Sequence, residues 1–155
     1  MQPRMKSPAL TLPGVRDALL SIAKTTEACG VPRATLELMH VRVGQINGCS
    51  VCVDMHSRAL AKLGESHARI FMLAAWREAP YYTDAERAAL ALAEAVTRLS
   101  DRSDAVPDEI WKEAAAHFTE GALGALLVSV AIANVWNRLN VPTRQVTGDW
   151  IAQYV

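Results

Sequence analysis

"LELMHVRVGQINGCSVCVDMH", residues 36–56, carries apolar residues at three-and-four spacing on both sides of an Asn-Gly pair at 47–48. Asn-Gly ends helices and turns chains, so the stretch reads as two helices joined by a tight turn, the second starting at about Cys49. Residues three and four apart are neighbours on a helix, which puts Cys49, Cys52 and His56 on one face. Glu37 lies twelve positions before Cys49 on the first helix, on a stripe that runs through Val41 and Gly44 toward the turn. An antiparallel hairpin would turn that stripe onto the second helix, and Gly44 would permit close approach.

The same periodicity extends along the chain, and no run alternates in period two for long, so the expected fold is all-α. It is expected to be a single compact domain over 1–155, with its core at about 33–145 and the CxxC at the N-terminus of a central helix. A first helix is expected over about 14–29, ending at Gly30, and a second begins with Pro32 in its first turn and runs to the Asn-Gly pair. The third ends at Gly64, after which Ser66 caps a short apolar helix that stops before Pro80. Thr83 and Glu86 in "TDAE" form a capping box for a helix to about Leu99. "SDRSDAVP", residues 100–107, is a loop; Pro107 then opens a helix containing Trp111, and the longest helix spans about 119–139 before Pro142.

Sixteen basic and sixteen acidic residues cancel, which argues against a nucleic-acid partner or an anionic membrane surface. The longest apolar run, residues 121–136, is shorter than the roughly 20 residues that span a bilayer and contains Asn134, so a buried core helix is expected. Residues 1–15 contain two prolines and no hydrophobic block, unlike a secretory signal, and a cytoplasmic location is expected. In a reducing compartment an odd count of three cysteines points to catalytic or metal-binding thiols rather than a disulfide framework.

A thiol at a helix N-terminus feels the positive end of the dipole, which lowers its pKa from about 8.5 toward neutrality and makes it nucleophilic. Helical residues three apart have Cα atoms about 5 Å apart, inside the disulfide window, so Cys49 and Cys52 can open and close as a redox couple. His56 can take a proton from Cys52, and Glu37 completes a carboxylate, imidazole and thiol relay. Two other readings use the same residues. Glu37, Cys49, Cys52 and His56 could make a tetrahedral zinc site in a non-catalytic helical module. The thiols could also be inert buried residues. Cys29 is read as a bystander; His40, one turn after Glu37, could join the site but is read as an exposed imidazole; and His67 and His117 are read as lacking partners. Trp76, Tyr81 and Tyr82 are read as core, and Asn134, Asn137 and Arg138 need polar partners inside an apolar helix.

Glu37, Cys49, Cys52 and His56, with "QING" ahead of the first cysteine, resemble the signature of the alkyl hydroperoxidase D-like proteins of the carboxymuconolactone decarboxylase superfamily. "WREAPYYTDAERAALALAEAVTRLS" and "IANVWNRLNVPTR" extend the resemblance to roughly residues 33–145. It implies an all-helical fold, trimers or hexamers assembled through helix packing, and no bound cofactor. It also implies a peroxidase or disulfide reductase acting on alkyl hydroperoxides, with a lipoyl protein, thioredoxin or peroxiredoxin as partner. By the resemblance Cys52 attacks the peroxide with help from His56 and Glu37, and Cys49 resolves the sulfenic acid to a disulfide. The frequent nucleophilicity of the first cysteine in a CxxC argues the other way. A dithiol donor is then expected to act at Cys49, the more exposed sulfur at the helix tip. Some members carry a histidine where this chain has Val51, so that residue's role does not transfer. The superfamily's decarboxylases are the alternative enzyme class, and they lack this CxxC.

Overall fold

The turn at Asn47–Gly48 organises the molecule. In a computed structural model that describes residues 2–155, α3 (Arg33–Asn47) ends at Gly48, whose φ of 70° is left-handed, and the Cys49 N–H bonds back to the Gly44 carbonyl at 2.9 Å. A residue with a Cβ adopts that conformation only at a cost, which is why Gly follows Asn here. α4 (Ser50–Lys62) begins immediately, capped by Cys49, whose sulfur accepts the Cys52 N–H at 3.3 Å. α3 and α4 pack closely because Gly44 has no side chain: a Cβ there would stand 3.1 Å from Val53 Cγ2 and 3.4 Å from Cys52 Cβ.

Two short N-terminal helices, α1 (Pro8–Thr11) and α2 (Val15–Thr25), precede the hairpin. After it come α5 (His67–Phe71), a 3-10 turn over Met72–Ala75, α6 (Asp84–Thr97), a 3-10 turn over Leu99–Asp101, α7 (Asp108–His117) and α8 (Glu120–Asn140). A last 3-10 segment, Asp149–Tyr154, ends the chain, and the described residues contain no strand. α3 is the hub, flanked by α4, α6 and α8. Met39 and Val43 face Leu92, Leu126 and Val130 in one part of the core, while Leu38 and Val41 face Leu60, Leu73, Trp76 and Leu90 in another. A helix buried on both flanks has little surface for polar residues, so the buried Glu37 on it requires specific partners.

The capping box at Thr83 and Glu86 and the Ser66 cap form as expected. α2 stops at Thr25 rather than near 29, because Thr25 and Thr26 turn their hydroxyls onto the Ile22 and Ala23 carbonyls, both at 2.7 Å, and compete with the helix. Pro32 stands just outside α3 as its N-cap. α8, at 21 residues, is longer than its apolar run suggested, so length does not exclude a span. Its burial against α3 and α6 and its inward Ser129, Asn134 and Asn137 make it a core helix of the bundle. Tyr81 is exposed, whereas Trp76 and Tyr82 are in the core.

Candidate functional site

Glu37 is 1% exposed, and each of its oxygens accepts one hydrogen bond: Oε1 from Arg33 Nε and Oε2 from His56 Nδ1, both at 2.6 Å. Burial pushes its carboxyl up, but the His56 hydrogen bond and the His56 and Arg33 charges outweigh it and hold the pKa at about 2. An ionised Glu37 has no proton to offer, so His56 Nδ1 must carry the hydrogen of that bond. This fixes the tautomer and leaves His56 Nε2 as the ring nitrogen free to accept a proton.

His40, expected at the surface, instead packs its ring 4.5 Å from that of His56, with Nε2 2.6 Å from Ser129 Oγ on α8. Burial and the His56 charge hold its pKa down to about 3, so it is neutral near pH 7. Its Nδ1 is buried without a partner. The signal was available in the sequence: His40 is three positions after Glu37, on the same face of α3.

Cys49 and Cys52 are joined in a disulfide with Cα atoms 5.3 Å apart. Asn137 Nδ2 donates to Cys52 Sγ at 3.0 Å, and Asn140 Nδ2 lies 3.9 Å from Cys49 Sγ and 3.7 Å from Cys52 Sγ. Asn47 Nδ2 donates to Asn137 Oδ1 at 2.8 Å and Asn134 Oδ1 at 3.0 Å, and Arg138 Nη1 reaches Asn134 Oδ1 at 2.8 Å. The turn residue Asn47 thus orients the amide that faces Cys52. Its side chain was not singled out from the sequence, where the pair signalled only a turn. Asn134, Asn137 and Arg138 find the partners their position in an apolar helix demanded.

The expected exposure of Cys49 does not hold: Cys49 is 1% and Cys52 3% exposed. The terminal segment, which shows no periodicity in sequence, lays the fully buried Ile151 against both cysteines, with Val155 and Met55 beside it. Lys62 Nζ donates to the Val155 carbonyl at 2.7 Å, and Thr147 bonds Asp54, fastening the segment to α4. A cavity of about 260 Å³ lies between the start of α4 and the turn after α8, with Cys49 among its lining residues. Cys29 is a half-buried free thiol, whose Sγ lies 3.3 Å from the Thr25 carbonyl.

The donor set does not fit the zinc arrangement read from the sequence. The two sulfurs bond each other, and among the described residues the ligand atoms that converge, within 4.8 Å, belong to Glu37, His40 and His56. Both Glu37 oxygens already accept hydrogen bonds from Arg33 and His56, so a cation there would share its carboxylate with a guanidinium. What the arrangement offers is a dithiol/disulfide couple at the start of α4, an oriented imidazole four residues after Cys52 on the same helix, and a carboxylate that is ionised near pH 7.

The model of the carboxymuconolactone decarboxylase family matches residues 13–95. The uncharacterized protein YdfG of Bacillus subtilis is 37% identical over 123 residues, which are 79% of this chain and 82% of that protein. Identity reaches 46% with the alkyl hydroperoxide reductase AhpD of a Bradyrhizobium species, over 41 residues, 26% of this chain and 23% of that protein. The solved structure of ATU0492 from Agrobacterium tumefaciens, a protein of unknown function suggested to serve antioxidant defence as AhpD, superposes with a TM-score of 0.87. It has 30% identity and is matched over 95% of this chain and 99% of that one.

Proposed function

The chain belongs to the carboxymuconolactone decarboxylase family, in its alkyl hydroperoxidase D-like branch, and from that premise we propose that it reduces organic hydroperoxides through a Cys49–Cys52 dithiol cycle. The observation that carries the reading is the disulfide at the N-terminus of α4, with an amide donor on one sulfur and the Glu37–His56 pair one turn on. In the reduced protein Cys52 is the attacking thiolate. Asn137 donates to its sulfur, and His56, four residues on along the same face, takes the thiol proton at Nε2. The Glu37 carboxylate stabilises the imidazolium that forms.

Attack on the terminal peroxide oxygen breaks the O–O bond, gives Cys52 sulfenic acid and releases an alkoxide that takes a proton to become the alcohol. The Cys49 thiol then displaces water from the sulfenic sulfur and closes the disulfide. An external dithiol, such as a lipoyl group or thioredoxin, returns two electrons and two protons. With it we propose a reducing, cytoplasmic setting and a homo-oligomer, trimer or hexamer, that acts with a lipoyl-protein, thioredoxin or peroxiredoxin partner. Separate serine variants test the division of labour. Cys49→Ser treated with hydroperoxide is expected to accumulate a sulfenic acid on Cys52 that a dione reagent traps, whereas Cys52→Ser traps none. The reverse pattern would assign the peroxide to Cys49, and no trapping in either variant would refute the peroxidase reading.

A further inference from the structure

Both sulfurs of the dithiol cycle are buried, so part of the protein has to move before a hydroperoxide meets Cys52. Cys52 does not line the cavity beside Cys49. The helices around it are pinned by the core, whereas residues 147–155 are held from outside. Their polar contacts with the rest of the chain lie at the surface: Lys62 Nζ to the Val155 carbonyl, Thr147 to Asp54, and Arg58 to the fully exposed Asp149 at 4.0 Å. Arg16 stands 5.9 Å over the Tyr154 ring. Exposed contacts of this kind contribute little each. What holds the segment down is Ile151, its one buried residue, seated in an apolar cluster with Cys49, Val51 and Cys52.

That seat depends on the chemical state of the sulfurs. A disulfide is neutral, and Ile151 covers it at no electrostatic cost. A thiolate is charged, and taking it out of water is costly unless it is fully paired. The N-terminus of α4 and the Asn137 amide favour a thiolate at Cys52, while Ile151, Val155 and Met55 bring it no side-chain donor. A proton passed to His56 leaves an ion pair under the same apolar cover, and a buried ion pair also carries a desolvation cost. Ionisation of Cys52 and seating of Ile151 therefore oppose each other, and by linkage each weakens the other to the same degree.

Resting on the dithiol cycle above, we propose that residues 147–155 form a redox-sensitive strap. It is closed over the disulfide and is released when Cys52 becomes a thiolate, which uncovers the attacking sulfur for the hydroperoxide. When Cys49 closes the disulfide the charge is gone, and Ile151 seats again. The strap makes and breaks no covalent bond of its own, and the electrons and protons are those of the dithiol cycle.

Hydrogen exchange at pH 8, followed by mass spectrometry over a peptide spanning residues 147–155, tests this. A 3-10 segment of six residues does not protect its amides once it leaves the surface it packs on. Four full-length samples are compared: oxidised protein, phosphine-reduced protein, Cys49→Ser, which keeps a thiol at Cys52 without a disulfide, and Cys49→Ser/Cys52→Ser, which has neither. Protection of the segment is expected to be about tenfold or more lower in reduced protein and in Cys49→Ser than in oxidised protein, the equivalent of one unit of differential ionisation. The double variant is expected to stay within about twofold of oxidised protein, and α8 to keep its protection in all four. Equal protection in oxidised and reduced protein would overturn the proposal. So would protection retained in Cys49→Ser, or a loss shared by the double variant, which would trace the release to the missing cross-link rather than to charge. Alcohol formed from an organic hydroperoxide is measured on the same reduced sample. Alcohol without release of the strap overturns this proposal and leaves the peroxidase reading standing, and release without alcohol does the reverse.

Discussion

Replacing Glu37 by Gln keeps its shape and removes its charge, and the structure sets the cost. Two donors, Arg33 Nε and His56 Nδ1, point at two carboxylate oxygens, each at 2.6 Å. A Gln amide has one oxygen, so its NH₂ must face one of those donors, and a buried hydrogen bond becomes a donor–donor clash. The carboxyl pKa is about 2 in the folded chain against an ordinary 4.5. At about 1.4 kcal/mol per factor of ten, the ionised form contributes about 3 kcal/mol to stability near pH 7. Because the folded value is the depressed one, that contribution is complete above pH 4.5, declines as pH falls and is gone by about pH 2. Urea unfolding of both proteins between pH 7 and pH 3 checks this. Glu37→Gln is expected to be about 3 kcal/mol less stable near neutrality, with the difference closing below pH 4.5. A constant gap across that range, or none at pH 7, would refute the charge-based account of Glu37.

Ile151→Ala leaves the α3–α6–α8 core intact but loosens the cover on the sulfurs. Truncating a buried Ile costs about 2–4 kcal/mol, so alkylation of the reduced cysteines is expected to quicken at least about tenfold with little change in the main melting transition. An unchanged alkylation rate would mean that the terminal segment does not limit access. Asn137→Ala removes the amide on Cys52 Sγ, and reaction of Cys52 with an organic hydroperoxide in Cys49→Ser protein is expected to slow about fivefold or more at pH 7. An unchanged rate would remove Asn137 from the site's chemistry. Gly44→Ala should lower stability by about 1–3 kcal/mol by overpacking, although Ala is the better helix former, since its Cβ would meet Val53 Cγ2 at 3.1 Å. A higher melting temperature would show that α3 and α4 separate freely.

The local signals in this sequence were strong where the physics is local. Asn47–Gly48, Thr83 with Glu86, and Ser66 each act through backbone groups within a few residues, and each forms the turn or cap its chemistry dictates. The Glu37 to His56 contact was legible because both residues lie on helices joined by a tight turn, so helical periodicity alone brings them together. Spacing puts His40 on the Glu37 face of α3, but its burial depends on Ser129 of α8, 89 residues away, and single-residue exposure tendencies carry no trace of that packing. Burial of the disulfide escaped notice for the same reason. Ile151 reaches it from a short 3-10 segment whose "DWIAQY" shows neither helical nor strand period. The early end of α2 depends on two threonine hydroxyls competing for carbonyls, a contest that apolar spacing does not report.

The central claim, that Cys49 and Cys52 exchange two electrons with a hydroperoxide, is tested most directly by a single-turnover titration. Reduced protein is mixed with one equivalent of an organic hydroperoxide, and alcohol, free thiols and disulfide location are measured together. The account predicts one alcohol per chain, loss of the Cys49 and Cys52 thiols, a disulfide between them and an intact Cys29 thiol. Unconsumed peroxide with all three thiols intact, or oxidation confined to Cys29, would contradict it.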